Sequence, residues 1–266
     1  MSYGFILIKL NNITYSSISD KIKNLNISYD FITNYNNKYF FKNIHKLIEH
    51  YHKLNILFIK RKHSYSFLTL IKGSFCDKDS VNKIIKGLTY NEIKLLKSRK
   101  DYSKICKDDC NYKYKQCNAD KFNNFINQKL DLLSYDNAVK LDIEFPKGKL
   151  DKDESVFNCA TREVNEETTL SINNDYIYLS KNIIFNETFI GTDKCTYNWN
   201  YFLGILNPSI DTSIINIDNN YEVSEINLID YTDICSNLPN VSHFYNKRKF
   251  IFDIYIFIIN FFYINT

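Results

Sequence analysis

Between Gly148 and Leu170 the chain reads GKLDKDESVFNCATREVNEETTL, placing Glu163, Glu166 and Glu167 within five residues of one another behind Arg162. On a helix, carboxylates three and four residues apart face one another, and each like-charge pair costs about 0.2–0.5 kcal/mol unless a positive charge neutralises it. Two readings are open, a solvated acidic face or a bound divalent cation. Measured from Glu163, Glu167 lies at about +40° and Glu166 at about −60°, so the three share one face. Val156, Phe157, Ala160 and Val164 fall at about +20° to +120°, an apolar flank suited to docking on a sheet. That anchorage would hold the carboxylates at the edge of the buried face, which suits a metal. Glu154 lies about 180° round, but in the first turn, where the preceding loop can return it to the others. Arg162 has the rigid fork needed to fix a carboxylate rotamer. Oxygen donors without Cys or His favour Mg²⁺ or Mn²⁺ over Zn²⁺. Lys147 and Lys149 flank Gly148, where a bare backbone can approach an ion or phosphate closely. Cations around a metal suit a pyrophosphate.

The elements that must carry this stretch are legible on either side of it. Tyr3–Leu10 (YGFILIKL) and Asn55–Lys62 (NILFIKRK) are apolar runs of strand length and read as two strands of one sheet. An Asn-rich connection separates them, with helical spacing at Phe41–Leu54. After Gly73 the pattern turns helical: Thr89 and Glu92 have capping-box spacing, and Lys121–Leu133 repeats apolar residues at helical intervals. Strand-like segments resume at Tyr176–Leu179, Ile183–Ile190, Tyr197–Leu206 and Ile226–Tyr231. Strands before and after an acidic helix predict an α/β fold, a mixed β-sheet sandwiched between helices, with a helical insertion ahead of the acidic motif. One domain over 1–266 is expected, with the insertion at 74–137 and the motif and later strands at 138–250.

Charge is divided unevenly. Lys78–Leu130 holds thirteen Lys/Arg against six Asp/Glu, a net of +7, whereas the whole chain carries +4, leaving −3 elsewhere. A basic insertion beside an acidic remainder fits a polyanionic partner meeting a site that needs carboxylates; a solvated Lys-rich surface is the plain alternative. The seven cysteines do not form paired CxxC spacings, which predicts free thiols in a reducing compartment, with Cys106, Cys110 and Cys117 as a weaker zinc option. His45, His50 and His52 read as solvated imidazoles. No secretory leader opens the chain. Phe250–Asn265 is too short, and too interrupted by Asp253 and Asn260, for a span of about 20 residues. A buried terminal helix is expected there, and a membrane tether is the alternative.

Gly148, Glu154, the run Arg162-Glu163-Val164-Asn165-Glu166-Glu167 and the apolar Leu170 resemble the Nudix box of the Nudix hydrolases, with Thr169 where that pattern has Gly. EFPKGKL (Glu144–Leu150), the two opening strands and the insertion with TYNEIKLL are similar to mRNA-decapping Nudix enzymes of large cytoplasmic DNA viruses. The African swine fever virus and giant-virus members are nearer, and the poxvirus enzymes more distant. The resemblance implies a Mg²⁺- or Mn²⁺-dependent pyrophosphohydrolase acting on capped RNA in a host cytoplasm, releasing 7-methylguanosine diphosphate, without DNA sequence recognition. By the same resemblance Gly148, Glu154, Glu163, Glu166 and Glu167 bind metal, and Arg162 orients Glu163. Lys147 and Lys149 meet substrate. SEINLIDY (Ser224–Tyr231) resembles a segment that supplies a later glutamate, which makes Glu225, or else Glu166, the base, with Glu222 nearby. A small-substrate Nudix pyrophosphatase and a non-catalytic RNA-binding protein are the competing readings.

Overall fold

The computed structural model describes residues 1–11, 32, 54–98, 101–110, 115–139, 143–179, 185–190, 195–211, 215, 217, 220–230, 233 and 242–264. Most of the Asn-rich connection, the three histidines within it and Cys235 lie outside them. The strands are β1 (Ser2–Leu10), β2 (Leu54–Arg61), β3 (Ile143–Glu144), β4 (Lys147–Lys149), β5 (Tyr176–Tyr178), β6 (Phe185–Ile190), β7 (Thr196–Leu206) and β8 (Val223–Asp230). The main helices are α1 (Tyr65–Ile71), α2 (Lys78–Lys86), α3 (Tyr90–Ser98), α4 (Gln116–Lys129), α5 (Val156–Thr168) and α6 (Ser242–Ile259).

Among the described residues the strands form one eight-stranded mixed sheet. β1 runs parallel to β7, while its other edge pairs antiparallel with β4 at the start (Gly4 opposite Lys147) and with β2 at the end (Ile8 opposite Ile56). Side chains alternate across a strand, and here both faces are apolar. Ile6, Ile8 and Leu10 of β1 join Ile56, Phe58, Tyr201, Leu203 and α6 on one side. Tyr3, Phe5 and Leu7 join Leu57, Ile59, Phe202 and α5 on the other. Burial on both faces explains why these strands read as continuous apolar runs, and each fully buried Leu, Ile or Phe contributes about 1.5–3 kcal/mol.

The helical segment begins at Tyr65, earlier than the Gly73 boundary expected from sequence, because the Ser64 side chain accepts from Phe67 N–H and starts α1. Glu92 ties the segment together. Its carboxylate accepts from Thr89 N (2.8 Å), Ser64 N (2.6 Å) and Ser64 Oγ (2.8 Å), and Thr89 Oγ1 accepts from Glu92 N–H. The capping box anticipated before α3 is thus formed and extended to α1. The segment has its own core around Phe67, Ile84, Leu96, Phe122 and Ile126. Cys106 is buried in it and Cys117 is exposed. Among the described residues no three His, Cys, Asp or Glu side chains are grouped to hold a metal ion, so the zinc option finds no support. Nor is any described helix long and apolar enough to cross a membrane. α6 instead buries Ile251, Ile254, Phe257 and Ile258 against the sheet.

Candidate active site

α5 starts where Ser155 accepts from Asn158 N–H (3.1 Å), and it docks through Cys159, Ala160 and Val164 on the sheet. Phe157 packs edge-to-face on Phe5 and Phe202. Val156, assigned to the same flank, is exposed instead. The docking turns the acids by degrees: Glu167 is buried, Glu163 is half-buried and Glu166 is exposed. β4 lies directly beneath. A β-carbon on Gly148 would sit 1.9 Å from Glu163 Cδ, so only glycine lets that carboxylate rest on the strand.

Arg162 gathers the acids. Its Nε and Nη2 donate to Glu154 (both 3.0 Å), Nη1 donates to Glu163 Oε1 (2.8 Å) and Glu166 Oε2 (2.9 Å), and Nη2 also reaches Lys149 O (2.9 Å). Glu154, far round the helical wheel, is thereby brought to the cluster. Its carboxyl is lowered chiefly by the hydrogen bond from Arg162. Burial raises Glu163, and Arg162 partly offsets it.

Behind the helix lies an ionic network that spacing did not reveal. Glu144 is buried and accepts from Lys147 Nζ (2.6 Å), Arg61 Nη1 (3.0 Å) and Tyr65 Oη (2.9 Å). Burial opposes its charge, but Lys147 and Arg61 outweigh burial and hold its carboxyl down to about 2. The Lys147 ammonium lies 4.1 Å from the centre of the Trp199 ring. Expected to meet substrate, Lys147 is instead buried, with its charge directed at Glu144 and Trp199. It faces inward because β4 pairs with β1 there. Lys149, two residues on, is exposed. Only the backbone N–H of Lys147 is given to Glu167 (2.8 Å). Burial therefore dominates at Glu167 and raises its carboxyl to about 8, against Lys147 and with Glu144 adding to the rise. The sequence signals for this network were slight: a glutamate before Phe-Pro in an apolar setting, and a lone tryptophan.

The later acids separate. Glu225 is exposed and pairs with Lys60 (3.2 Å). It alternates with Ile226 and Leu228, which pack towards α5, and shares the parity of Ile229, which packs towards α6. The expectation that Glu225 reaches the acids of α5 is therefore corrected, because its side chain leaves the other face of the sheet. Glu222 takes the nearer position: it lies 3.8 Å from Arg61 and close enough to Glu163 to raise its carboxyl. A bulge opposite Lys60 and Arg61 changes the parity between the two.

Glu163, Glu166 and Glu167 with the Gly148 backbone supply oxygen donors of the kind a hard divalent ion takes, but they are not drawn together as a metal site among the described residues: Arg162 holds Glu163 and Glu166, while Glu167 accepts from Lys147 N. Cys159, beside them, is no competitor, since burial and then Glu154 and Glu163 push its thiol up to about 12.

A strand-borne glycine under a helix bearing Arg-Glu and Glu-Glu pairs, beside a mixed sheet between helices, is the arrangement of the Nudix fold. Residues 131–250 match the family described as NUDIX domain. It is 25% identical over 258 aligned residues, spanning 83% of this chain and 70% of the relative, to a protein of Acanthamoeba polyphaga mimivirus described as "Putative mRNA-decapping protein". Among solved structures it is similar to the Ap4A hydrolase of C. elegans at 16% identity, with a TM-score of 0.33 over 44% of this chain and 76% of that one.

Proposed function

We propose that the chain is a Nudix hydrolase that removes the 5′ cap from RNA, releasing 7-methylguanosine diphosphate and leaving a 5′-monophosphate on the RNA, in a host cytoplasm if the chain is viral. The carrying observation is the extent of the likeness to the mimivirus protein. It spans 83% of the chain, well beyond residues 131–250, whereas shared pyrophosphate chemistry alone would be confined to the box. The basic insertion supports the same reading.

Glu163, Glu166 and Glu167 with Gly148 hold Mg²⁺ or Mn²⁺, and Glu154 supports them through Arg162. When bound, such ions neutralise the pyrophosphate and lower the pKa of water. Arg162 keeps Glu163 in place on Gly148. Glu166, the exposed acid, accepts the proton from water as its oxygen attacks phosphorus and the bridging P–O bond breaks, with Glu222 as the acid nearest to Glu163 from the later loop. Lys149 meets the phosphates, and the insertion holds the RNA body.

Capped RNA labelled in the cap, incubated with Mn²⁺, should yield 7-methylguanosine diphosphate, and Glu167→Gln should slow its release on the order of 100-fold. Equal turnover of the free cap dinucleotide would instead make this a small-substrate pyrophosphatase. Tight RNA binding without any metal-dependent product would make it a binding protein on a Nudix scaffold.

A further inference from the structure

The insertion contains a cleft of about 470 Å³ between the segment leading into α2 and the outer face of α4. Its volume lies in the range of small-ligand sites, about 300–1,000 Å³. The floor is apolar and aromatic: Phe75 is half-buried and meets the nearly buried Phe125 edge-on, with ring centres 6.1 Å apart. The rim is cationic, formed by Lys78, Lys121 and Lys129. Lys121 is held over the floor, its Nζ donating to Gly73 O (2.8 Å) and lying 6.0 Å from the Phe75 ring centre. On α4, Gln128 Nε2 donates to Asn124 Oδ1 (2.7 Å), which leaves the Asn124 amide nitrogen and Gln128 Oε1 as a donor and an acceptor side by side. The acid on the lining, Asp77, is engaged in capping α2, accepting from Ser80 N (2.8 Å) and Ser80 Oγ (2.6 Å).

We infer that this cleft seats one unstacked nucleotide of single-stranded RNA, its base on Phe75 against the Asn124–Gln128 amide pair and its flanking phosphates at Lys78, Lys121 and Lys129. An aromatic floor accepts the π-face of any base, ammonium groups meet phosphates, and paired amides meet a base edge. A duplex presents stacked bases and has nothing to insert. Lys72, at the end of α1 and three residues before Phe75, lies within electrostatic reach of Lys149 and Arg61, which add to burial in lowering its ammonium pKa. The inference rests on RNA being the substrate and names where its body is held.

The test uses full-length protein and an uncapped 5′-monophosphate RNA of about 12 nucleotides, within the span that single-strand sites cover, measured by filter binding across a salt series without divalent ions. Lys78→Glu with Lys129→Glu should weaken binding and reduce the salt slope by about 1.4, two phosphates at about 0.7 each. Phe75→Ala should weaken binding about fivefold or more, the least that stacking on one ring contributes, and Phe75→Tyr should restore it. All these variants should hydrolyse free cap dinucleotide with Mn²⁺ as the parent does. Unchanged affinity and slope would overturn the inference, as would equal competition by a blunt RNA duplex or by poly-glutamate. The two readings fail separately. If the variants lose RNA while the parent releases no cap, the cleft stands and decapping falls; if the parent decaps and the variants bind RNA as it does, the cleft falls.

Discussion

Glu167 is the residue where burial and chemistry meet. Its raised carboxyl means that the metal-free folded protein binds more protons than the unfolded chain between the ordinary 4.5 and about 8. Stability from this group is therefore fully present below pH 4.5 and is lost as pH rises towards 8. Glu167→Gln should flatten that fall, whose limit is about 1.4 kcal/mol per pH unit, in urea titrations with chelator present. The same substitution should lower metal-dependent hydrolysis on the order of 100-fold, the upper range for disturbing a ligand shell. Glu144 has the opposite sign. Held down to about 2, it contributes stability above its ordinary 4.5 that is lost as pH falls through about 2. Glu144→Gln leaves Arg61 and Lys147 as buried cations and should cost about 3–5 kcal/mol, read as a lower denaturation midpoint at neutral pH.

At the scale of elements, the end of α5 is held in an uncommon way. Thr169 has φ 60°, a left-handed conformation that a β-branched side chain resists, where the Nudix pattern has glycine. The helix end is also clipped from outside. Asn220 Nδ2 donates to Glu166 O (2.9 Å) and Glu167 O (3.4 Å), and Asn220 Oδ1 accepts from Glu222 N (2.8 Å) and Val223 N (2.9 Å). One amide thus joins the acidic helix to the loop carrying Glu222. Thr169→Gly should relieve the strain and raise Tm by about 2–4 °C, as a gain of about 1 kcal/mol does in a chain of this order of size. Asn220→Ala should cost about 1 kcal/mol or more, and in hydrogen exchange the loss should appear at the end of α5. Much of this architecture was legible. The apolar runs of β1 and β2, the Thr89–Glu92 cap and the three-acid face of α5 are local patterns, and local patterns survive folding. What was not legible depends on long-range pairing: Glu144 with Arg61, Asn220 with α5, the inward turn of Lys147 set by β1, and the bulge that sends Glu225 to the far face.

Among the described residues three cores are formed, two flanking the sheet and one within the insertion. Phe122 belongs to the core of the insertion, which shares no residue with either core flanking the sheet. Phe122→Ala should cost about 3–5 kcal/mol, and exchange of backbone amides should accelerate across α1 to α4 while those of β1 and β7 stay protected. Uniform acceleration would mean that insertion and sheet unfold as one unit. The polarity of charge follows the same division, with a positive insertion beside a net-negative remainder that includes the acids of α5. Long-range attraction then brings a polyanion first to the insertion, and the acids receive only the part of it that an ion has neutralised.

The chain has a single tryptophan, and that indole lies under the ammonium of Lys147. Its emission is therefore an intrinsic optical probe of the charges behind the acidic helix, with no second fluorophore of its kind to dilute the signal. A change in wavelength or quenching on titrating Mn²⁺, absent in Lys147→Met, would let events at the helix be followed in unlabelled protein.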